Sequence, residues 1–251
     1  MGNRPNDIAT IDWRGFEGTE AVFPVCMKSP AVNGRPLRAQ IAAASMKVNN
    51  LIVVICDSLN RFNAPNVANG KDQSIDLGTS WLEGNIDTIR EFFPDVEVLR
   101  WERDIRSHPS FSVRLEEVKK LYDTSEAIQT LRDSMSAYYL RSKFTSFERD
   151  YERGLATSFN IDNAVQSSAD YLDEEFAGDM VYHEITGGLP HIYWGLYVDD
   201  HSIFTRESGQ DMGFPMTLPV TSKRHGPSLP ASSISHVSLN AVKQELILRA
   251  A

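Results

Sequence analysis

Cysteine is scarce in this 251-residue chain: Cys26 and Cys56 are the only two. That excludes a disulfide framework and a zinc site built from thiolates. Long apolar runs are missing as well, and none approaches the roughly 20 residues needed to cross a bilayer. The opening Met1-Gly-Asn-Arg-Pro-Asn-Asp7 is polar and leads into no apolar secretion-signal core. These absences point to a reduced, cytoplasmic setting with no membrane partner. A basic excess is lacking too. With 25 Lys and Arg against 34 Asp and Glu, the net charge of -9 argues against a non-specific coat on DNA or RNA. The chain has no phosphate-loop pattern, no Gly-x-Gly-x-x-Gly and no Gly-x-Ser-x-Gly elbow. His183-Glu184 lacks the second histidine of a zincin, and Asp199-Asp200-His201 has no further ligand partner. No metal site is expected.

What is present suffices for one sizeable core. Hydrophobic residues make up 41% and aromatics 10%, consistent with a single folded domain over residues 1–251. Thr221 to Ser235, rich in Ser, Pro and Gly, reads as a flexible segment. Leu51-Ile-Val-Val-Ile-Cys56 is an unbroken apolar run of the kind buried on both faces of a parallel sheet. Leu82, Ile86, Ile89 and Phe93 then mark one helix face, stopped by Pro94, and Val96 to Trp101 forms the next strand. Strand, helix, strand in that order is a βαβ unit, hence an α/β fold with a Rossmann-like parallel sheet flanked by helices.

Other elements follow. Ala21 to Met27 reads as a strand that Pro24 assigns to an edge or an early position. Ala39 to Lys47 is helix-compatible, and the Asn-, Gly- and Asp-rich stretch from Asp57 to Leu77 reads as a long functional loop. Ser112 to Phe176 is helical in pattern, with Asn160 or Asp162 as an N-cap for its last helix. Gly187-Gly-Leu-Pro190 turns into the strand His191 to Val198. A further strand near Met216 to Val220 and a closing helix from Val237 to Leu248 complete the reading.

Chemistry-bearing residues concentrate at strand ends, where open parallel sheets bind ligands. Asp57, Ser58 and Asn60 follow the apolar strand. Tyr171 and Glu175 share one helix face, and Tyr197 ends another apolar run. A hydroxyl nucleophile, a carboxylate and two phenols can serve acyl transfer. Between Arg100 and Arg153 there are 11 basic and 10 acidic side chains, so the acidic excess lies elsewhere. Arg132 and Lys143 fall on one helix face, with Arg141, Arg149 and Arg153 close by, as a surface for phosphates.

The combination resembles the tRNA-dependent cyclodipeptide synthases. The resemblance rests on Ser58 with Asn60, on Tyr171-Leu-Asp-Glu-Glu175-Phe-Ala177, and on Gly188-Leu-Pro190 running to Tyr197. Val98-Leu-Arg-Trp-Glu-Arg-Asp-Ile105 and the helix ending Lys119-Lys-Leu-Tyr122 extend it over Leu51 to Asp200. It implies a domain similar to the catalytic core of class I tyrosyl- and tryptophanyl-tRNA synthetases. Neither His-Ile-Gly-His nor Lys-Met-Ser-Lys-Ser is present, and an enzyme given pre-activated esters needs no ATP signature and no cofactor. The implied activity is an aminoacyl transfer from aminoacyl-tRNA to Ser58, extension to a dipeptidyl-enzyme, and closure to a diketopiperazine. Glu175 and Tyr171 would hold the ammonium group, with Tyr197 relaying protons.

Departures from the family pattern are specific. Asn60 stands two residues after Ser58 where the family has three, so a slip of register puts Asp57 or Cys56 at the nucleophile position. Ala177 replaces the motif proline, and Val198 follows Tyr197. Asp57, Asp199 and Asp200 are substrate-binding candidates. The two aspartates after Tyr197 would suit a guanidinium, as in a divergent fungal group making arginine-containing cyclodipeptides, which this chain resembles more than the bacterial enzymes. The competing readings are an inactive RNA-binding relative and a Rossmann-like transferase acting on a nucleotide-linked small molecule.

Overall fold

The computed structural model describes residues 9–27, 29–63, 70–154, 157–193, 200–222 and 238–250. Strands β1 (Ala9–Ile11), β2 (Glu20–Val25), β3 (Asn50–Ile55), β4 (Glu97–Arg100), β5 (His191–Tyr193) and β6 (Thr217–Ser222) form one sheet in the order β1-β6-β5-β2-β3-β4. Only β1 is antiparallel, against β6; the pairs β2–β3, β2–β5, β3–β4 and β5–β6 are parallel. The helices are α1 (Gly34–Ser45), α2 (Gly70–Arg90), α3 (Phe111–Thr124), α4 (Glu126–Glu152), α5 (Ile161–Ile185), α6 (Asp200–Ser208) and α7 (Leu239–Ala250).

Alternation along the inner strands divides the core. Ala21, Phe23 and Val25 of β2, with Leu51, Val53 and Ile55 of β3, pack with Leu37 and Ile41 of α1 and with Trp81 and Ile89 of α2. Val22, Ile52, Val54 and Cys56 face the other way, onto a cluster from α3, α4, α5 and α6. Both faces are therefore covered, as a parallel sheet requires. A third cluster joins Leu140 and Phe144 of α4 and Ala164 of α5 to Val242 and Leu246 of α7. Among the described residues no helix is long and apolar enough to cross a membrane.

Three sequence expectations change. First, β2 is interior, not an edge. Val22 N–H donates toward β5, to the Pro190 carbonyl at 2.8 Å. Two residues on, the nitrogen of Pro24 points the same way, beyond Val22–His191, the one pair registered between these strands among the described residues. The missing donor at Pro24 ends the β2–β5 ladder, while the β2–β3 ladder runs the full length of β2. Second, the long loop after Asp57 is largely ordered: a 3₁₀ turn spans Ser58–Asn63, and α2 starts at Gly70. Third, Thr221 and Ser222 belong to β6, while 223–235 lie outside the described residues. The βαβ unit β3–α2–β4 is as expected, and Asn160 caps α5, its side chain accepting from Asn163 N–H at 2.9 Å.

Candidate active site

Chain order and sheet order diverge at β2. From there the chain adds β3 and β4 on one side, then returns to add β5 and β6 on the other. Such a reversal opens a crevice at the carboxyl end of the strand where it occurs, the usual ligand site of an open α/β sheet. The residue at that point is Cys26, directly after β2.

The helix lying over this crevice is α5. Tyr171, Glu175, Asp179 and Tyr182 follow one another at spacings of four, four and three, so they line one stripe. Tyr171 Oη donates to Glu175 Oε1 at 2.9 Å. Its ring is buried and packs on Tyr139 of α4, centroids 5.1 Å apart. Burial pushes the Tyr171 phenol well up, and Glu175, Tyr139, Cys26 and Tyr193 around it push in the same direction. It stays protonated, a donor. Tyr182 Oη is hydrogen-bonded to His191 Nδ1, and His191 Nε2 to Thr217 Oγ1 at 2.7 Å. His191 also stacks on Tyr193, with ring centroids 5.3 Å apart. These contacts tie the end of α5 to β5 and β6. Cys56, after β3, faces the same stripe: burial first, then Cys26, Asp179, Glu175 and Asp57, raise its thiol well above the ordinary range.

The residues after β3 are less open than the sequence suggests. Their place at a strand end suggests access to ligand, but Ser58 is 0% exposed and Asn60 only 2%. Burial raises the Glu102 carboxyl, but Lys71, then Ser58 and Arg106, outweigh it and hold it below the ordinary carboxylate range. The buried Ser58 hydroxyl has no partner within hydrogen-bond distance among the described residues. Asp57 is occupied by the scaffold. One oxygen accepts from Ser58 N–H at 2.7 Å and Glu102 N–H at 3.3 Å, and the other from Arg100 Nε at 2.5 Å. Asp57 thus clamps the end of β3 to that of β4 rather than projecting toward a substrate. Gly78 of α2 allows this: a Cβ there would lie 2.6 Å from the Asp57 Cβ.

Glu174, next to Glu175 but one helix face away, was not anticipated. It accepts two bonds from Arg61, at 2.9 and 2.5 Å, and one from Trp101 Nε1 at 3.1 Å. Arg106 Nε lies 3.4 Å from its other oxygen. This buried pairing fastens α5 to the turn after β3 and to the π-helical turn Trp101–Arg106. The adjacent carboxylates have separate tasks, Glu174 structural and Glu175 facing the crevice.

The five basic candidates also separate. Arg132 is paired with Asp173 at 2.8 Å and lies over the Tyr122 ring, so it serves α4–α5 packing. Lys143 is turned inward, donating to Ser167 Oγ at 2.7 Å and Ser168 Oγ at 3.0 Å. The shared face read from their spacing is real, but it is directed at α5 and not at solvent. Arg141 pairs with Glu245 of α7 at 2.8 Å. Arg149 and Arg153 are exposed near the end of α4. Tyr197 and Asp199 lie outside the described residues. Asp200 begins α6, a helix the sequence reading did not include.

No family model matches the chain, and no curated protein matches it in sequence. Solved structures do match. A cyclodipeptide synthase from Fluoribacter dumoffii superposes with a TM-score of 0.71 at 17% identity, over 86% of this chain and 97% of that one. A cyclodipeptide synthase from Candidatus Glomeribacter gigasporarum, solved bound to Phe-tRNAPhe, gives 0.60 at 18% identity, over 82% and 88%. A Mycobacterium tuberculosis protein, described as demonstrating that cyclodipeptide synthetases are related to type I tRNA synthetases, gives 0.52 at 14% identity, over 82% and 87%. Nearly the full length of each is covered, so the chain has the Rossmann-like α/β fold seen in cyclodipeptide synthases.

Proposed function

We propose that this chain is a cyclodipeptide synthase, an aminoacyltransferase that joins two amino acids delivered by aminoacyl-tRNAs into a diketopiperazine. The observation that carries this reading is the hydrogen-bonded Tyr171–Glu175 pair over the end of the switch strand, in a fold shared with such enzymes.

The first aminoacyl group moves from its tRNA ester to a side chain at the strand ends, for which the sequence offers Ser58 and the fold offers Cys26. Glu175 holds the ammonium of the bound aminoacyl group by a charge-assisted bond, oriented by the Tyr171 hydroxyl. Once deprotonated, that amine attacks the ester of the second aminoacyl-tRNA, forming an amide and releasing the second tRNA. The new terminal amine then closes onto the enzyme-bound acyl carbon, which frees the side chain and the ring. Glu175 and Tyr197 carry the protons. Because both acyl groups arrive activated, no cofactor is required.

Arginine is one substrate in this reading, with Asp199 and Asp200 beyond Tyr197 as partners for the guanidinium. Arg149 and Arg153 contact tRNA phosphates, with Arg141 beside them, while Arg132 and Lys143 support the helix that carries them. The enzyme works in the cytoplasm, where charged tRNA is found.

Cells expressing the chain will accumulate a diketopiperazine absent from vector controls, measured by mass spectrometry of the extract. Glu175→Gln will lower it by roughly 100-fold, the share that a positioned proton carrier supplies. Folded protein at normal levels with no new diketopiperazine contradicts the reading. Binding of tRNA without product would then favour an inactive RNA-binding relative.

A further inference from the structure

We infer that the side chain accepting the aminoacyl group is the thiol of Cys26, so that the covalent intermediate is a thioester on the switch strand. This rests on the synthase reading and specifies its central residue.

The argument begins with strand direction. Val22 of β2 faces the α5 side, whereas Ala21, Phe23 and Val25 face α1 and α2. Two-residue alternation carries Pro24 and then Cys26 to the α5 side. Cys56 N–H donates to the Val25 carbonyl at 3.1 Å, continuing the β2–β3 ladder one step and setting Cys26 beside Cys56. Cys26 is half-buried, in no disulfide, and within electrostatic reach of Tyr171.

The turn that carries it is held from several sides. Ser29 N–H closes onto the Cys26 carbonyl at 2.8 Å. Asn33 Nδ2 donates to the carbonyls of Met27 at 3.2 Å and Ser29 at 2.9 Å. Gln40 Nε2 reaches the Ala31 carbonyl at 2.6 Å, and Trp81 Nε1 the Val32 carbonyl at 3.0 Å. A strand, a braced turn and a helix fix a nucleophile in position before substrate arrives.

The rival positions are worse placed. Ser58 opens the turn after β3, one strand away from the reversal, and is fully buried. Asp57 is spent on Arg100 and two backbone donors. Cys56 stands next to the site, but it is turned into the core, and burial first, then Cys26 and the surrounding carboxylates, oppose formation of its thiolate.

The chemistry balances. The Cys26 sulfur attacks the ester carbonyl of aminoacyl-tRNA, a C–S bond forms, and the C–O bond to the terminal ribose breaks. The thiol proton ends on the ribose oxygen, giving aminoacyl-Cys26 and uncharged tRNA. Ring closure later breaks the C–S bond, and sulfur recovers a proton from the attacking amine.

The test uses purified full-length protein, a mixture of charged tRNAs, rapid acid quench, and mass mapping of the acylated peptide. The expected adduct is on Cys26. Cys26→Ala, with an unchanged melting temperature, should lose adduct and diketopiperazine together. Cys26→Ser, which keeps an oxygen nucleophile in the same place, should acylate roughly 100-fold more slowly. Ser58→Ala and Cys56→Ala should still acylate on Cys26. An adduct mapped to Ser58 or Cys56, or a Cys26→Ala variant that still makes product, overturns the assignment while leaving the synthase reading intact. If wild-type protein neither deacylates tRNA nor makes a ring, the synthase reading itself fails.

Discussion

Lys143 illustrates how a side chain chosen for its charge can be put to a different use. A lysine nine residues before the end of a helix rich in basic residues suggests a phosphate contact. Instead it is drawn against α5, and burial lowers its ammonium to about 8 from an ordinary 10.5. The sign of the consequence is fixed. Below pH 8 both folded and unfolded chains carry the proton, and the folded state bears the cost of an interior charge. From about pH 8 to 10.5 the folded chain releases the proton while the unfolded chain keeps it, so stability rises with pH. Relative to Lys143→Met, wild type should gain on the order of 1 kcal/mol between pH 8 and pH 10, after allowing for solvent screening. Urea midpoints of the two proteins at both pH values measure it, and equal slopes would contradict it. Glu174 and Glu175 carry the same lesson: their chemistry in sequence is identical, and only the helix face separates a structural anchor from a crevice carboxylate.

The elements that build the site depend on close approach. At Gly178 of α5 a Cβ would lie 2.2 Å from the Trp101 ring, which in turn donates to Glu174. Gly178→Ala should therefore destabilise the protein by about 2–3 kcal/mol through overpacking. Gly84→Ala on α2, where nothing lies within 4 Å, should stabilise it by roughly 0.5–1 kcal/mol through helix propensity. Thermal melts of the pair report both, and a neutral Gly178→Ala would show that α5 and Trp101 are less tightly packed than described. Much of the element order was legible, because β3, the second half of α2, β4 and α5 bury continuous or regularly spaced apolar residues. The first turns of α2 were hidden: Ser74 and Gly78, its buried positions there, are small and carry no apolar signal. Pro24 disguised β2 as an edge strand, and with it the importance of Cys26. The available clue was that Ala21–Val25, like β3, is an apolar run ending in a cysteine before a turn and a helix.

At the scale of the molecule, what the sequence withheld was strand order. A βαβ unit can be read locally, but the position of β5 beside β2 depends on the path of the whole chain. That placement moves the crevice from the end of β3 to the end of β2, where the inferred nucleophile lies. The helices α3, α4 and α5 then cover one face of the sheet and deliver Tyr171 and Glu175 to the crevice. The most direct measurement follows a labelled acyl group. Purified protein is mixed with tRNA charged with radiolabelled arginine and with tRNAs charged with the other amino acids, and label is followed on tRNA, on protein and in solution. The account predicts passage from tRNA to a protein-bound adduct and then into a cyclic dipeptide. Label that stays on tRNA, or that leaves only as free arginine, would contradict it.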